Sequence, residues 1–72
     1  MTELIGIFDQ LQRQGWVCVL KWDGERDSKH KTIVVSNSAE GHCFRGDFND
    51  FQQGLTLLLQ WLEEKGVVAG NR

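Results

Sequence analysis

The side chains best able to do chemistry are two cysteines and two histidines. Cys43 follows His42 directly, while Cys18 and His30 lie nearer the N-terminus. A cysteine and a histidine together can bind zinc or form a nucleophilic pair. Neighbouring residues on a strand point to opposite faces, however, and the chain has no CxxC or HxxxH spacing. We therefore expect two reduced thiols and no metal site.

Other motifs that carry chemistry are incomplete. Asp47, Asn49 and Asp50 resemble half of a calcium-binding loop, but the glycine and the distal glutamate of such a loop are not in register. Gly24 and Gly41 are isolated, so no phosphate-cradling loop is indicated. No oxyanion loop or orienting third group accompanies the cysteines. The sequence predicts a protein that is not an enzyme and binds no cofactor.

Composition limits the class of protein. The chain has 72 residues, 40% of them hydrophobic and 25% charged, which is typical of one small globular domain. The formal charge of −2 does not favour non-specific attraction to nucleic acid or anionic lipid. The chain has neither a long apolar run nor a basic, apolar N-terminal leader. We expect a soluble, acidic, cytoplasmic domain spanning 1–72.

One long helix is predicted at about 48–65. Its apolar residues recur at i, i+3, i+7, i+10 and i+14, as on one side of a helix: Phe48, Phe51, Leu55, Leu58 and Leu62. Asp47 or Asn49 is the expected N-cap, with Asp50 adding negative charge near the positive helix end. Gly66 is expected at the left-handed C′ position, which pairs Val67 with Leu62 in a Schellman ending.

A first helix is predicted at about 3–14 by the stripe of Leu4, Phe8 and Leu11, with Thr2 as a possible cap. Gly15 ends it in the same way as Gly66, because Trp16 and Leu11 form the corresponding apolar pair. Strands are predicted at about 16–22, 31–36 and 42–46, followed by a short C-terminal tail at 67–72. Asp23-Gly24 could form a tight hairpin turn, but a longer loop over 23–30 is favoured because 25–30 is almost wholly polar.

The predicted fold is α+β: an α-β-β-β-α domain with a three-stranded antiparallel meander and both helices on one face. Leu20 is expected opposite Ile33, Cys18 opposite Val35, and Val35 opposite Phe44. The predicted core is apolar throughout: Phe8, Leu11, Leu20, Ile33, Val35, Phe44, Leu55, Leu58 and Leu62. The register assigns Trp16, Cys18 and Trp22 to the helix-covered face as well.

Two surfaces carry more apolar residues than solvent contact requires. On the outer sheet face, Val17, Val19, Val34 and Cys43 form an apolar centre edged by Lys21 and Arg45. On the second helix, Leu57 and Trp61 form an extra row that the first helix could cover in part. One helix can hardly cover both surfaces, so at least one of them is expected to bind a partner.

The element order resembles that of the double-stranded-RNA-binding domain, which is also α-β-β-β-α. That family contacts phosphates through lysines at the start of its second helix. The matching positions here are Asp47, Asn49, Asp50 and Gln52, so the resemblance implies the fold and not that mode of binding. A nucleic-acid-binding alternative would use the 23–31 loop, whose basic residues are Arg26, Lys29 and Lys31; the plain interpretation of this loop is a solvated tip.

The expected function is that of a small non-catalytic module that binds or occludes a protein partner, with homodimerisation possible. Compact acidic domains of this kind look like phage- or mobile-element-encoded inhibitors or accessory proteins. The candidate partner-binding residues come from both surfaces: Val17, Val19, Lys21, Val34, Arg45, Leu57 and Trp61.

Overall fold

The computed structural model describes residues 2–67 as two helices and one sheet. The elements are α1 (Thr2–Arg13), β1 (Val17–Trp22), β2 (Lys31–Asn37), β3 (His42–Phe48) and α2 (Phe51–Glu64). The strands are antiparallel and ordered β1-β2-β3, which confirms the predicted α-β-β-β-α meander. No helix within residues 2–67 is long and apolar enough to span a membrane. Beyond Val67, the predicted C-terminal tail lies outside the described residues.

The sheet register agrees with the one predicted from the strand patterns. Leu20 pairs with Ile33, and Val35 lies between Cys18 and Phe44. Ile33 and Val35 are fully buried in one core with residues from both helices, so both helices cover the same sheet face. Because side chains alternate along a strand, this register also decides which residues are left on the opposite face.

Both helices end as the glycine positions indicate. Gly15 and Gly66 have φ values of 91° and 72°, a region that side chains with a Cβ rarely adopt. The N–H of Trp16 donates to the carbonyl of Leu11 at 3.0 Å, and that of Val67 donates to the carbonyl of Leu62 at 2.9 Å. These are the bonds of a Schellman ending. At the other end, α1 already includes Thr2, so its cap position falls outside the described residues.

The junction of β3 and α2 differs from the prediction. Phe48 is the last residue of β3 and pairs with Lys31, so the strand runs two residues beyond the predicted 42–46. Asp47 lies on that strand opposite Thr32 and is not the N-cap. The cap is Asp50, whose side chain accepts from the N–H of Gln53 at 2.8 Å. The helix therefore begins at Phe51 instead of 48 and ends at Glu64.

The core is centred where the sequence placed it. Six of the nine predicted core residues are buried, and Phe8, Leu20 and Phe44 are half-buried against them. Five apolar residues beyond those nine are also buried: Leu4, Ile7, Trp16, Phe48 and Phe51. Trp22 is 60% exposed although its register position is on the helix-covered side. Its ring packs edge-on against Phe51 at 4.9 Å, at the rim of the core.

Candidate partner-binding surface

The outer sheet face, opposite the helices, is a grid of three rows. One row holds Val17, Ser36 and Cys43, the next holds Val19, Val34 and Arg45, and the last holds Lys21, Thr32 and Asp47. The apolar side chains lie towards one end of this grid, where Ser36 separates Val17 from Cys43, and the charged side chains lie towards the other end. The face therefore has two distinct parts, and its charged part includes Asp47 as well as Lys21 and Arg45, which the strand patterns placed there.

The apolar part consists of Val17, Val19, Val34 and Cys43, and we call it the valine patch. Val17 is 62% exposed and Val19 is 46% exposed, while Val34, on the central strand, is half-buried. Single exposed aliphatic residues are common on protein surfaces. Here the register makes them neighbours on two adjacent strands, and contiguous apolar surface is more typical of an interaction site.

The charged part is a network that extends from the loop to β3. The guanidinium of Arg26 lies 3.3 Å from the carboxylate of Asp23 and 3.5 Å from that of Asp47. Lys21 also contacts Asp23, at 4.0 Å, and Arg45 contacts Asp47, at 3.9 Å. Three cations thus share two carboxylates beside the valine patch.

Asp47 is the best-anchored member of this network. The buried Thr32 donates its hydroxyl hydrogen bond to Asp47 Oδ1 at 2.6 Å. This bond is the main cause that lowers the pKa of Asp47, with further lowering from the charges of Arg26 and Arg45 against some desolvation. The network therefore holds a carboxylate at a fixed point on the outer face.

The 23–30 loop folds against the rest of the domain. The N–H of Asp23 donates to the carbonyl of His30 at 2.7 Å, which closes the loop. Besides its contacts with two carboxylates, Arg26 donates a hydrogen bond to the carbonyl of Lys29. The N–H of Lys29 in turn donates to Asn49 Oδ1. The loop is thus tied at several points, and the tight Asp23-Gly24 hairpin is not formed.

Two of the three basic loop residues predicted as contacts already have partners. Arg26 is held by two carboxylates, and the ammonium of Lys31 lies 3.2 Å from His30 Nδ1 and 3.3 Å from the carbonyl oxygen of Asn49. The structure therefore does not present Arg26, Lys29 and Lys31 as one uncompensated cationic surface.

The second predicted row, on α2, is not one surface. Trp61 is half-buried, with its ring 6.0 Å from those of Trp16 and His42 and 5.6 Å from that of Phe44. Trp16 precedes β1, and His42 and Phe44 lie on β3. These residues supply the cover over Trp61 that was expected from the first helix. Leu57 remains 44% exposed. Trp61 thus belongs to an aromatic cluster that the periodicity of α2 could not reveal.

The chemically reactive residues lie apart. Cys18 and Cys43 are both free and occupy opposite sheet faces, as predicted from their strand positions. Burial raises the pKa of the Cys18 thiol, which makes its thiolate scarcer near neutral pH. His42 stacks on Trp16 with the ring centroids 5.8 Å apart. Within residues 2–67 no three His, Cys, Asp or Glu side chains are grouped to hold a metal ion.

A cleft of about 410 Å³ lies at the start of α2, lined by Leu4, Asp50, Phe51, Gln52 and Leu55. Its one carboxylate caps the helix.

Comparison with known proteins adds no relative to this picture: no family model, curated protein or solved structure matches the chain.

Proposed function

We propose that the protein is a small non-catalytic interaction module that binds a protein partner through its outer sheet face. The observation that carries the proposal is the exposure of Val17 and Val19 beside Val34 and Cys43. Fully burying an exposed valine contributes roughly 1.5–3 kcal/mol, and covering the 62% of Val17 and 46% of Val19 that are exposed contributes about half of that for each, before the costs of association are subtracted. The sheet face supports the proposal better than the α2 row, because Trp61 already packs against three rings.

The partner's chemistry follows from the charges beside the patch. Lys21, Arg26 and Arg45 outnumber the two carboxylates at this end of the face. A complementary partner presents an apolar ridge with an acidic side chain at one end, so that its charge meets the excess cation at the rim. Binding of this kind occludes the partner's ridge, as an inhibitor or accessory protein would. The proposed setting is the cytoplasm, where the exposed free thiol of Cys43 would stay reduced.

Val19→Glu tests the proposal, because it places a charge in the centre of the valine patch without removing a buried side chain. The matched control is Leu57→Glu, which makes the same kind of change at an exposed leucine on α2. Both variants are first checked for an unchanged far-ultraviolet circular dichroism spectrum. Immobilised wild-type and variant proteins are then exposed to extract from the source cells, and bound proteins are quantified by mass spectrometry.

We expect a partner that is retained by wild type and Leu57→Glu and lost by Val19→Glu. A partner lost only by Leu57→Glu would place the binding site on α2 and overturn the choice of the sheet face. A partner retained by both variants would exclude both surfaces.

A second candidate function is nucleic-acid binding, which one feature favours. The exposed Trp22 lines a cleft of about 260 Å³ together with Arg26, His30, Lys31 and the carboxylate of Asp23. An aromatic ring beside cations is the usual platform for stacking a single-stranded base. A gel shift with single- and double-stranded RNA at low salt tests it. Binding that weakens steeply with salt and is lost in Trp22→Ala supports this function, and no shift at low salt excludes it.

A further inference from the structure

We propose that the outer sheet face is also self-complementary and takes a second copy of this chain in a two-fold dimer. The inference rests on the proposed function in one respect, since it uses the same face as an interface. In the dimer the two sheets pack face to face, with the symmetry axis lying between them and parallel to β2. Such interfaces are isologous, so each contact between two different residues occurs twice.

This axis places β2 over β2 and exchanges β1 with β3. From the register, Val34 then faces Val34 of the second copy, and Val17 faces its Cys43. Lys21 faces Asp47 of the second copy, and by symmetry Asp47 faces Lys21 of the second copy. Apolar residues therefore meet apolar ones, and the ammonium meets a carboxylate.

The remaining pair in the grid is compatible with the same arrangement. Val19 faces Arg45 of the second copy, and the aliphatic stem of an arginine can cover a valine while its guanidinium stays in water. No side chain of the grid is left facing a group of the same charge.

The other two-fold arrangement, with the axis perpendicular to the strands, is less favourable. It would place Lys21 over Val17 and Asp47 over Cys43 of the second copy. Both charges would then lose water without gaining an ionic partner, which is costly. The arrangement of charges on the outer sheet face therefore favours the axis parallel to β2.

The charges that form the new pair are accessible in the single chain. The side chain of Lys21 is 61% exposed and lies 4.0 Å from Asp23, and that of Asp47 is 31% exposed and lies 3.5 Å from Arg26 and 3.9 Å from Arg45. Such long exposed pairs contribute little by themselves. Lys21 can thus approach Asp47 of the second copy without breaking a strong bond, while Asp47 stays anchored by Thr32.

The size of the face predicts a weak dimer. By usual strand spacing and rise, three strands of six residues cover a footprint about 14 Å wide and about 20 Å long. That is small beside the roughly 800 Å² that each partner buries in a stable complex. We expect a dissociation constant on the order of 10–1000 µM. The dimer and a foreign partner compete for one face, so self-association lowers the fraction of chains able to bind the partner.

The test uses complementary charge reversals. In Lys21→Glu the dimer would contain two Glu–Asp contacts, and in Asp47→Lys it would contain two Lys–Lys contacts. Each homodimer should be weakened roughly tenfold or more. When the two variants are mixed, both contacts become ion pairs again, so the mixture should form a heterodimer although neither variant dimerises alone.

Sedimentation velocity from about 5 µM to about 500 µM, which spans most of the expected range, measures the association. Wild type should show a concentration-dependent dimer, as should the control Glu40→Lys, which reverses an exposed charge in the β2–β3 turn. Circular dichroism checks the fold of each variant, since Asp47→Lys removes the acceptor of Thr32. Val34→Glu, which keeps that bond and places two glutamates opposite each other at the axis, should also abolish the dimer and serves if Asp47→Lys does not fold.

A wild-type protein that stays monomeric over this range overturns the inference, as does a dimer that survives Val34→Glu. Monomeric single variants that fail to associate when mixed overturn the two-fold geometry. The proposed function fails separately. If wild type is monomeric but Val19→Glu alone loses a partner from extract, the interaction face stands and the dimer does not.

Discussion

The ring of Phe48, at the end of β3, lies directly against the backbone of Gly54 on α2. A Cβ atom at position 54 would come within 2.8 Å of the ring of Phe48 and 2.5 Å of the Cδ1 atom of Ile33. Gly46, two residues before Phe48 on the same strand, also lies against that ring, because a Cβ atom at position 46 would meet its Cζ and Cε2 atoms. The two glycines leave the space that the ring occupies, so the helix can approach the sheet closely at its first turn.

Gly54→Ala should therefore destabilise the domain. At an exposed position inside a helix, alanine is more favourable than glycine by about 1 kcal/mol. Here the added methyl group meets two buried side chains, and such overpacking typically costs about 1–3 kcal/mol. The matched control is Gly6→Ala in α1, where nothing lies within 4 Å of the added Cβ. Urea denaturation should show Gly6→Ala equal to or more stable than wild type and Gly54→Ala less stable; a stabilised Gly54→Ala would contradict the close packing.

The fold could be predicted because local and long-range signals agree for most of the chain. Gly15 and Gly66 mark helix ends independently of packing, and the strand patterns exclude registers shifted by one residue, which would put the apolar faces of neighbouring strands on opposite sides of the sheet. The junction of β3 and α2 was predicted wrongly for a physical reason. Phe48 has a helical spacing to Phe51, but its pairing with Lys31 keeps it in the sheet. The spacing of Asp50 and Gln53, a cap followed by a glutamine three residues later, was the signal for the true start.

The candidate surface could be predicted only in part. The valines of β1 and β2 follow from alternation along the strands, which needs no knowledge of the loops. The contact of Arg26 with Asp47 joins a loop to a strand 21 positions away, and no periodicity encodes such a pair. The aromatic cluster around Trp61 was missed for the same reason, because Trp16 and His42 meet it from separate elements.

The centre of the core should be sensitive to loss of volume. Leu58 is fully buried, and Leu58→Ala should lower the free energy of unfolding by about 2–5 kcal/mol through lost burial and the cavity that remains. Its neighbour Leu57 is exposed, so Leu57→Ala should cost no more than about 1 kcal/mol. Chemical denaturation of both variants measures the difference. Equal costs at the two positions would contradict the orientation of α2.

The N-cap of α2 can be identified by two substitutions at one position. Asp50→Ala removes the acceptor of the Gln53 N–H and should cost about 0.5–2 kcal/mol. Asp50→Asn keeps an acceptor oxygen of the same reach and should lie close to wild type, because asparagine caps about as well as aspartate. Thermal unfolding at pH 7 compares them. An Asp50→Asn protein as unstable as Asp50→Ala would show that the carboxylate acts through charge and not as a cap.

Asp47 should make the domain sensitive to acid. The hydrogen bond from Thr32, aided by Arg26 and Arg45, lowers its pKa in the folded state below the ordinary value of about 3.9. The folded protein then binds this proton less readily than the unfolded chain, so the ionised carboxylate stabilises the fold above that ordinary pKa. The contribution is lost as the pH falls through the lowered pKa.

Thermal unfolding of wild type and Asp47→Asn between pH 7 and about pH 2 tests this linkage. Asp47→Asn should unfold at a lower temperature at pH 7, and the two curves should converge in acid, where wild type carries a neutral carboxyl group. Thr32→Val removes the main cause of the lowered pKa and should reduce the acid-dependent part of the stability. Curves that stay parallel over the whole range would show that Asp47 has the same pKa in the folded and unfolded chains. Ionisation of this carboxylate would then contribute nothing to the stability of the fold.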